Sequence, residues 1–291
     1  MSAVATEGAP ENRVRYGIVW LVCGMLLFVC TDTVARHLTQ TYPVLQVVWA
    51  RLFIHLVLMT LVLAPKVPKF VRPKNPSATY LRAIIVFLTS IGSVATLQLI
   101  PVANMHAIGL LGPMLVTAFS VPLLGESVNK TQWAAISFAC VGAVLIVKPG
   151  FGVFQLGSLI ALATTVIYSL GHIAARYANR YDEPSTVLYC TALFGGVLSS
   201  LIVPFFWKAP NLEGWLLILL IGTLSGLGHY AVIKAFSFGD ASKISPFNYS
   251  SLVWAILAGL VAFGEFPDSI TLAGAAIILS SAVFMWRRAS T

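Results

Sequence analysis

The chain has 291 residues, of which 58% are hydrophobic and only 10% charged, and its mean hydropathy is +0.88. A soluble domain carries about a quarter charged residues, so this composition excludes one. The net charge of +8 belongs to membrane topology and attraction to anionic lipid, not to nucleic-acid binding.

A hydrocarbon core about 30 Å thick takes about 20 apolar residues in helical form. Ten runs of that kind follow one another, at 16–38, 43–64, 78–98, 104–123, 129–147, 157–179, 184–206, 212–236, 243–263 and 268–287. The predicted fold is therefore an all-α membrane protein of ten transmembrane helices. Residues 1–12 are polar and read as an unstructured cytoplasmic tail. The first span contains Asp32, is too long for a cleavable signal and is followed by nine more, so it stays inserted. The longest loop, Ala64 to Ser77, holds Pro65, Pro68, Pro73 and Pro76 and is too short to fold alone. Function must sit in the bundle. In the fourth span, Pro113 behind Gly109 and Gly112 predicts a kink. Gly222 with Gly226, Ala255 with Gly259 and Ala258 with Ala262 predict close helix packing.

The spans divide into two copies of one unit. Gly17, Ala35 and Arg36 recur 140 residues later as Gly157, Ala175 and Arg176, and Gly125-Glu126 recurs 139 residues later as Gly264-Glu265. The first repeat runs over 13–149 and the second over 150–291. Five spans per repeat is an odd number, so the second copy enters from the opposite side and the pair is inverted, as in many secondary transporters. With the N-terminus inside, 14 Lys and Arg residues fall on the inner side and 3 on the outer, with Arg51 within a span. That bias places both termini in the cytoplasm.

Charged side chains at membrane depth cost about 2.5–3.5 kcal/mol at a helix centre, so each one is informative. Asp32 and Arg36 are four apart on the first span and are expected to pair with each other. The repeat puts His172 in the place of Asp32 and Arg176 in the place of Arg36, and these four are candidate gating residues at opposite faces. Arg51 and His55 share a face of the second span, where His55 reads as a core residue. His106, His229 and Lys234 lie near span ends, where snorkelling is expected.

Hydroxyl, amide and aromatic groups gather on the third, sixth, eighth and ninth spans. Tyr168, Asn248, Tyr249 and Trp254, with His229 and Ser93, are the candidate substrate-binding residues, in a cavity of little net charge suited to a small zwitterionic or amphipathic molecule. The other Ser and Thr residues read as interhelical hydrogen-bonding groups. Cys23, Cys30, Cys140 and Cys190 lie in apolar runs without metal-ligand spacing and read as small buried side chains, so no disulfide, metal or cofactor is expected. There is no H-E-x-x-H, G-x-S-x-G or P-loop, and no intramembrane carboxylate pair. Enzymatic activity is not expected. Asp32 is the one convincing carboxylate at membrane depth, and Glu126 and Glu265 sit at span ends, which points to weak or absent proton coupling.

The two five-span units, each with Gly-Glu between its fourth and fifth spans (Leu124-Gly125-Glu126 and Phe263-Gly264-Glu265), resemble the EamA-type ten-span members of the drug/metabolite transporter superfamily. The similarity runs from Tyr16 to Arg288. It includes Pro113 and the small-residue fifth and tenth spans ending at Lys148-Pro149 and Arg287-Arg288. Leu252 stands in the place of Pro113, which removes the signal for a kink in the ninth span. The resemblance implies an inner-membrane carrier with a central cavity alternating between sides, closest to bacterial exporters of amino acids, including aromatic ones. The expected function is export of amino acids and related small metabolites by a monomer in the lipid bilayer, with no nucleic-acid partner. The alternatives are an exporter of drugs or hydrophobic cations, which calls for a free carboxylate in the cavity, and a membrane enzyme or structural subunit.

Overall fold

The computed structural model describes residues 9–63, 67–147, 154–239 and 244–289. Among them there is helix and no strand. The first repeat comprises α1 (Ala9–Thr39), α2 (Val44–Leu63), the single turn α3 (Val67–Phe70), α4 (Pro76–Leu99), α5 (Val102–Gly109) with α6 (Gly112–Leu124), and α7 (Lys130–Val147). The second comprises α8 (Phe154–Ala178), α9 (Pro184–Ile202), α10 (Leu212–Ser237), a 3-10 turn (Ser245–Tyr249) running into α11 (Ser250–Phe263), and α12 (Ser269–Ala289). Nine of these segments are long and apolar enough to cross a membrane, and Ser269–Met285 is a shorter apolar helix in the place of the tenth. The expected span order is thus reproduced. One boundary moves: α1 begins at Ala9, inside the expected tail, while residues 1–8 lie outside the described residues. Lys66, Lys148 and Lys243, used in the charge asymmetry, also lie outside them, as does the inter-repeat junction 148–153.

Helix starts follow local chemistry. Asn75 Oδ1 accepts from the Ala78 N–H at 3.2 Å with Pro76 at the first helical position, and Asn211 Oδ1 accepts from the Gly214 N–H at 2.7 Å. Each cap removes an orphan donor, worth about 1 kcal/mol. The loops tie the repeats together. Asp182 accepts from the Lys74 N–H at 2.6 Å and the Asn75 N–H at 3.2 Å, and Gln46 exchanges two hydrogen bonds with the backbone of Lys208 at 2.8 and 3.0 Å.

Packing follows an exchange rule. α1 lies along α10 and against α11, and its counterpart α8 lies along α4 and against α6. α2 meets α9 and α10, α9 meets α2 and α4, and α7 pairs with α12. Swapping the repeats reproduces these neighbours, as an inverted pair requires. Small residues make the close approaches. A Cβ on Gly142 would stand 2.6 Å from the Gly274 carbonyl oxygen where α7 crosses α12, and Gly222 of α10 lies beneath Ile54 of α2. Both contacts fit packing-driven association in lipid.

The fourth span breaks where Gly109, Gly112 and Pro113 predict it, by a tight turn through Leu110 and Leu111 whose Leu111 N–H donates to the Ile108 carbonyl at 3.0 Å. The ninth span breaks at the corresponding place although it has no Pro there. Among the described residues a 3-10 turn over Ser245–Tyr249, with Pro246 at its start, leads into α11 there.

Candidate functional site

The Gly-Glu motifs are helix C-caps. Gly125 and Gly264 adopt left-handed φ of 73° and 66°, and the following Glu126 and Glu265 N–H groups donate back to Ser120 and Gly259 at 3.2 and 3.1 Å. The Gly125 and Gly264 N–H groups donate to Val121 and Leu260 at 3.1 and 3.0 Å, the five-to-one bond of a left-handed glycine cap. It fixes where each Glu side chain projects. The Glu265 carboxylate takes both terminal nitrogens of Arg36, with Nη2 to Oε1 at 2.7 Å, and Arg36 also lies over the Phe263 ring at 4.5 Å. The Glu126 carboxylate takes Arg176 in the same two-pronged way, with the longer contact at 3.4 Å. Each repeat's arginine therefore binds the other repeat's glutamate, at opposite ends of the bundle.

Asp32 departs from expectation. It pairs not with Arg36 but with Arg51 of α2, Nη1 to Oδ1 at 3.2 Å, and with His106 of α5, whose Nε2 is 3.2 Å from Oδ2. The reason is geometric: Arg36 reaches along α1 to Glu265, and the face of α1 holding Asp32 meets α2 and α5. Asp32 is 4% exposed. His106 and His229 are likewise not snorkelling residues. His106 is spent on Asp32, and the His229 ring stands 4.9 Å from Phe28 and 4.5 Å from buried His55, with Nδ1 2.8 Å from the Ser225 carbonyl. His55 is a core residue in contact with a proposed site residue.

The counterpart of Asp32 lies differently. On α8, Thr164 and Gly171 face α4, while the Ser169 hydroxyl reaches the Gly112 carbonyl at 3.2 Å. Tyr168 and His172 fall between these contact rows, on the face turned into the bundle, with their rings 4.5 Å apart. Both are nonetheless exposed, Tyr168 at 48%. α1 also packs on α4 and α5, whereas α8 makes no comparable contact with α10 or the 3-10 turn among the described residues. Among the described residues these contacts close the bundle at the Arg36 end and leave a crevice beside Tyr168 and His172 at the Arg176 end.

The remaining predicted residues border the interior. Tyr249 packs in the cluster around Ile108 and Met114, and Trp254 in the cluster around Val47 and Leu97. Ser250 Oγ and Trp254 Nε1, one turn apart on α11, are buried without a hydrogen-bond partner. Asn248 and Ser93 are half-buried. The charged residues that sequence reasoning passes over are Arg82, counted only in the inner-side charge bias, and Glu126 and Glu265, read as span ends. The shared spacing of Ala-Arg and Gly-Glu was the available signal for the two glutamates. Cys23 and Cys140 are exposed on helix faces, not buried, while Cys190 is buried and donates to the Phe70 carbonyl at 3.1 Å.

Comparison with known proteins follows the same two-unit division. The EamA-like transporter family matches residues 15–148 and again 155–287. A riboflavin transporter of Vibrio cholerae serotype O1 is 29% identical over 187 residues, covering 64% of this chain and 63% of that protein. An S-adenosylmethionine uptake transporter of Rickettsia bellii is 24% identical over 92% of both chains, and a pseudopaline exporter of Pseudomonas aeruginosa is 23% identical over 95% of this chain and 98% of that one. A crystal structure with a TM-score of 0.62 and 21% identity covers 94% of this chain and 97% of its own, and establishes the shared fold alone.

Proposed function

As a member of the EamA-like transporter family, the chain is a multi-pass membrane protein that moves small molecules, and we propose that it exports amino acids and related small metabolites by alternating access. The observation that carries this reading is the broken symmetry: Asp32 is sealed among Arg51 and His106 while its counterpart His172 stands exposed on the inward face of α8. One sequence unit, used twice, holds one end closed and the other open. Exchange of those two arrangements would move a central site from one side to the other.

In this reading the protein acts as a monomer in the inner membrane with both termini cytoplasmic, and the crevice at the Arg176 end faces the cytoplasm. Asp32 with His106 gates the outer end, backed by Arg36, and His172 with Arg176 gates the inner end. The substrate contacts are Tyr168, His229, Tyr249, Trp254, Asn248 and Ser93. Their rings pack an apolar part, and the unpartnered Trp254 N–H is free to donate to a polar one. A hydrophobic-cation exporter needs an available interior carboxylate, and Asp32 is already engaged by two basic side chains. The test is counterflow of a labelled amino-acid panel into liposomes holding the purified protein, with and without a pH gradient. Saturable exchange of at least one amino acid is expected; no exchange of any overturns the substrate class.

A further inference from the structure

The two halves of the bundle treat a buried guanidinium differently. Near the Arg36 end, Arg51 of α2 meets the Asp32 carboxylate. The repeat-related positions near the other end are Thr191 on α9 and His172 on α8. A guanidinium is nevertheless present there. Arg82 of α4 crosses towards α9, where one terminal nitrogen donates to Thr191 Oγ1 at 2.5 Å and, more loosely, to the Val187 carbonyl at 3.4 Å. Its Nε is buried and has no hydrogen-bond partner, and no carboxylate lies within ion-pair distance among the described residues. His172 and His229 are within electrostatic reach of Arg82, and His229 and His55 within that of Arg51.

The acidic residues confirm the imbalance. Apart from Asp32, those with described side chains sit at helix ends or loops: Glu126 and Glu265 on Arg176 and Arg36, Glu183 on Lys69, Glu213 near His37, Asp182 on backbone N–H groups, and Asp268 capping Thr271. Among the described side chains the interior therefore holds two guanidinium groups and one carboxylate. An arginine cannot discharge itself by losing its proton, so the uncompensated charge must find an anion or water.

We propose that Arg82 is the carboxylate-binding residue of the transport site, taking the substrate's carboxylate in the place that Asp32 fills for Arg51 in the other repeat. This rests on the transport reading above and deepens it. The crevice opens beside His172, so a carboxylate entering from the Arg176 end reaches the guanidinium fork without displacing a protein carboxylate. Arg82 supplies the charge, and Thr191 holds its far nitrogen in position. His172, smaller in charge than the Asp it replaces, leaves the guanidinium unsatisfied until substrate arrives. A planar fork matched to a planar carboxylate accounts for an arginine here over a lysine.

The test uses purified full-length protein in detergent, read by ligand-induced thermal shift, and in liposomes, read by counterflow. The probes are L-phenylalanine, L-threonine and L-glutamate, each beside its carboxamide. The wild type should bind the acid at least about tenfold more tightly than the amide, as expected for a charge-assisted hydrogen-bonded pair. Arg82→Gln should abolish that preference, and Arg82→Lys should keep part of it. Equal binding of acid and amide by the wild type, or a preference intact in Arg82→Gln, overturns the proposal. Where Arg82→Gln does not fold, His172→Asp decides: an internal carboxylate should satisfy Arg82, leave the unfolding temperature unchanged or raised, and remove the acid preference. Retained preference in a folded His172→Asp protein counts against it equally. If no amino acid binds, acetate, succinate and citrate separate the two ideas: stabilisation by any of them that vanishes in Arg82→Gln upholds the arginine site while the amino-acid reading falls, and no stabilisation overturns both.

Discussion

Asp32 sits between Arg51 and His106 with 6% of its side chain exposed, and Arg51 has 16%. Removing one member of so buried a pair leaves an uncompensated charge, which costs on the order of 3 kcal/mol, far more than the net worth of the pair itself. Asp32→Asn should therefore lower the unfolding temperature sharply, and adding Arg51→Gln should recover part of the loss. A double-mutant cycle by thermal unfolding in detergent measures this, and simple additivity would show that the two side chains do not depend on each other. The sequence singles out Asp32 readily, because every other carboxylate falls in a loop, in a terminal segment or at the end of a span. Its partner is not legible there. Arg36 has the right spacing along the helix, but a long side chain at a helix end also reaches neighbouring elements, and the competing carboxylate lies 229 residues away. Arg82 is obscured for a related reason: a basic residue two turns into a span looks like a topology signal until the fold shows which way it points.

The paired Gly-Glu caps turn a local backbone rule into an inter-repeat link. The left-handed glycine ends the fourth or ninth span and presents the glutamate to the arginine of a neighbouring helix. The two links are not equal. Arg36 and Glu265 have side chains 15% and 37% exposed, against 51% and 41% for Arg176 and Glu126. Water screens the second pair, so Glu126→Gln should cost under about 1 kcal/mol. Glu265→Gln removes charge from a more sheltered, two-pronged contact and should cost about 2 kcal/mol. Thermal unfolding of the two variants side by side checks the order, and a larger loss for Glu126→Gln would contradict it. The exchange Arg36→Glu with Glu265→Arg should restore part of the loss of either single change. Element boundaries were well marked by apolar runs, capping Asn residues and prolines. The break in the ninth span is not so marked, because Leu252 stands in the place of Pro113 and the break instead follows a 3-10 turn led by Pro246.

At the scale of the whole molecule, duplication and inversion were legible from spacing and an odd span count, but the state of the bundle was not. Two near-equivalent halves can close at either end, and only the three-dimensional contacts of α1 and α8 distinguish them: α1 reaches α4 and α5, and α8 leaves Tyr168 and His172 exposed on an inward face. This asymmetry makes accessibility a direct readout. In a background with Cys23, Cys30, Cys140 and Cys190 changed to Ala, a cysteine replacing His172 should react with a membrane-impermeant maleimide, and one replacing His106 should react far more slowly, since His106 is 13% exposed and held against Asp32. If the charge asymmetry orients the chain as proposed, His172→Cys reacts in inside-out vesicles and is protected in right-side-out ones. Labelling from the opposite side would reverse the topology without disturbing the fold. Equal labelling at both positions would mean that the two ends open alike, and the alternating-access reading would lose the observation on which it stands. A transported substrate should then slow labelling at 172 and speed it at 106, because binding that favours closure of the open end must, by the exchange of the two arrangements, release the closed one.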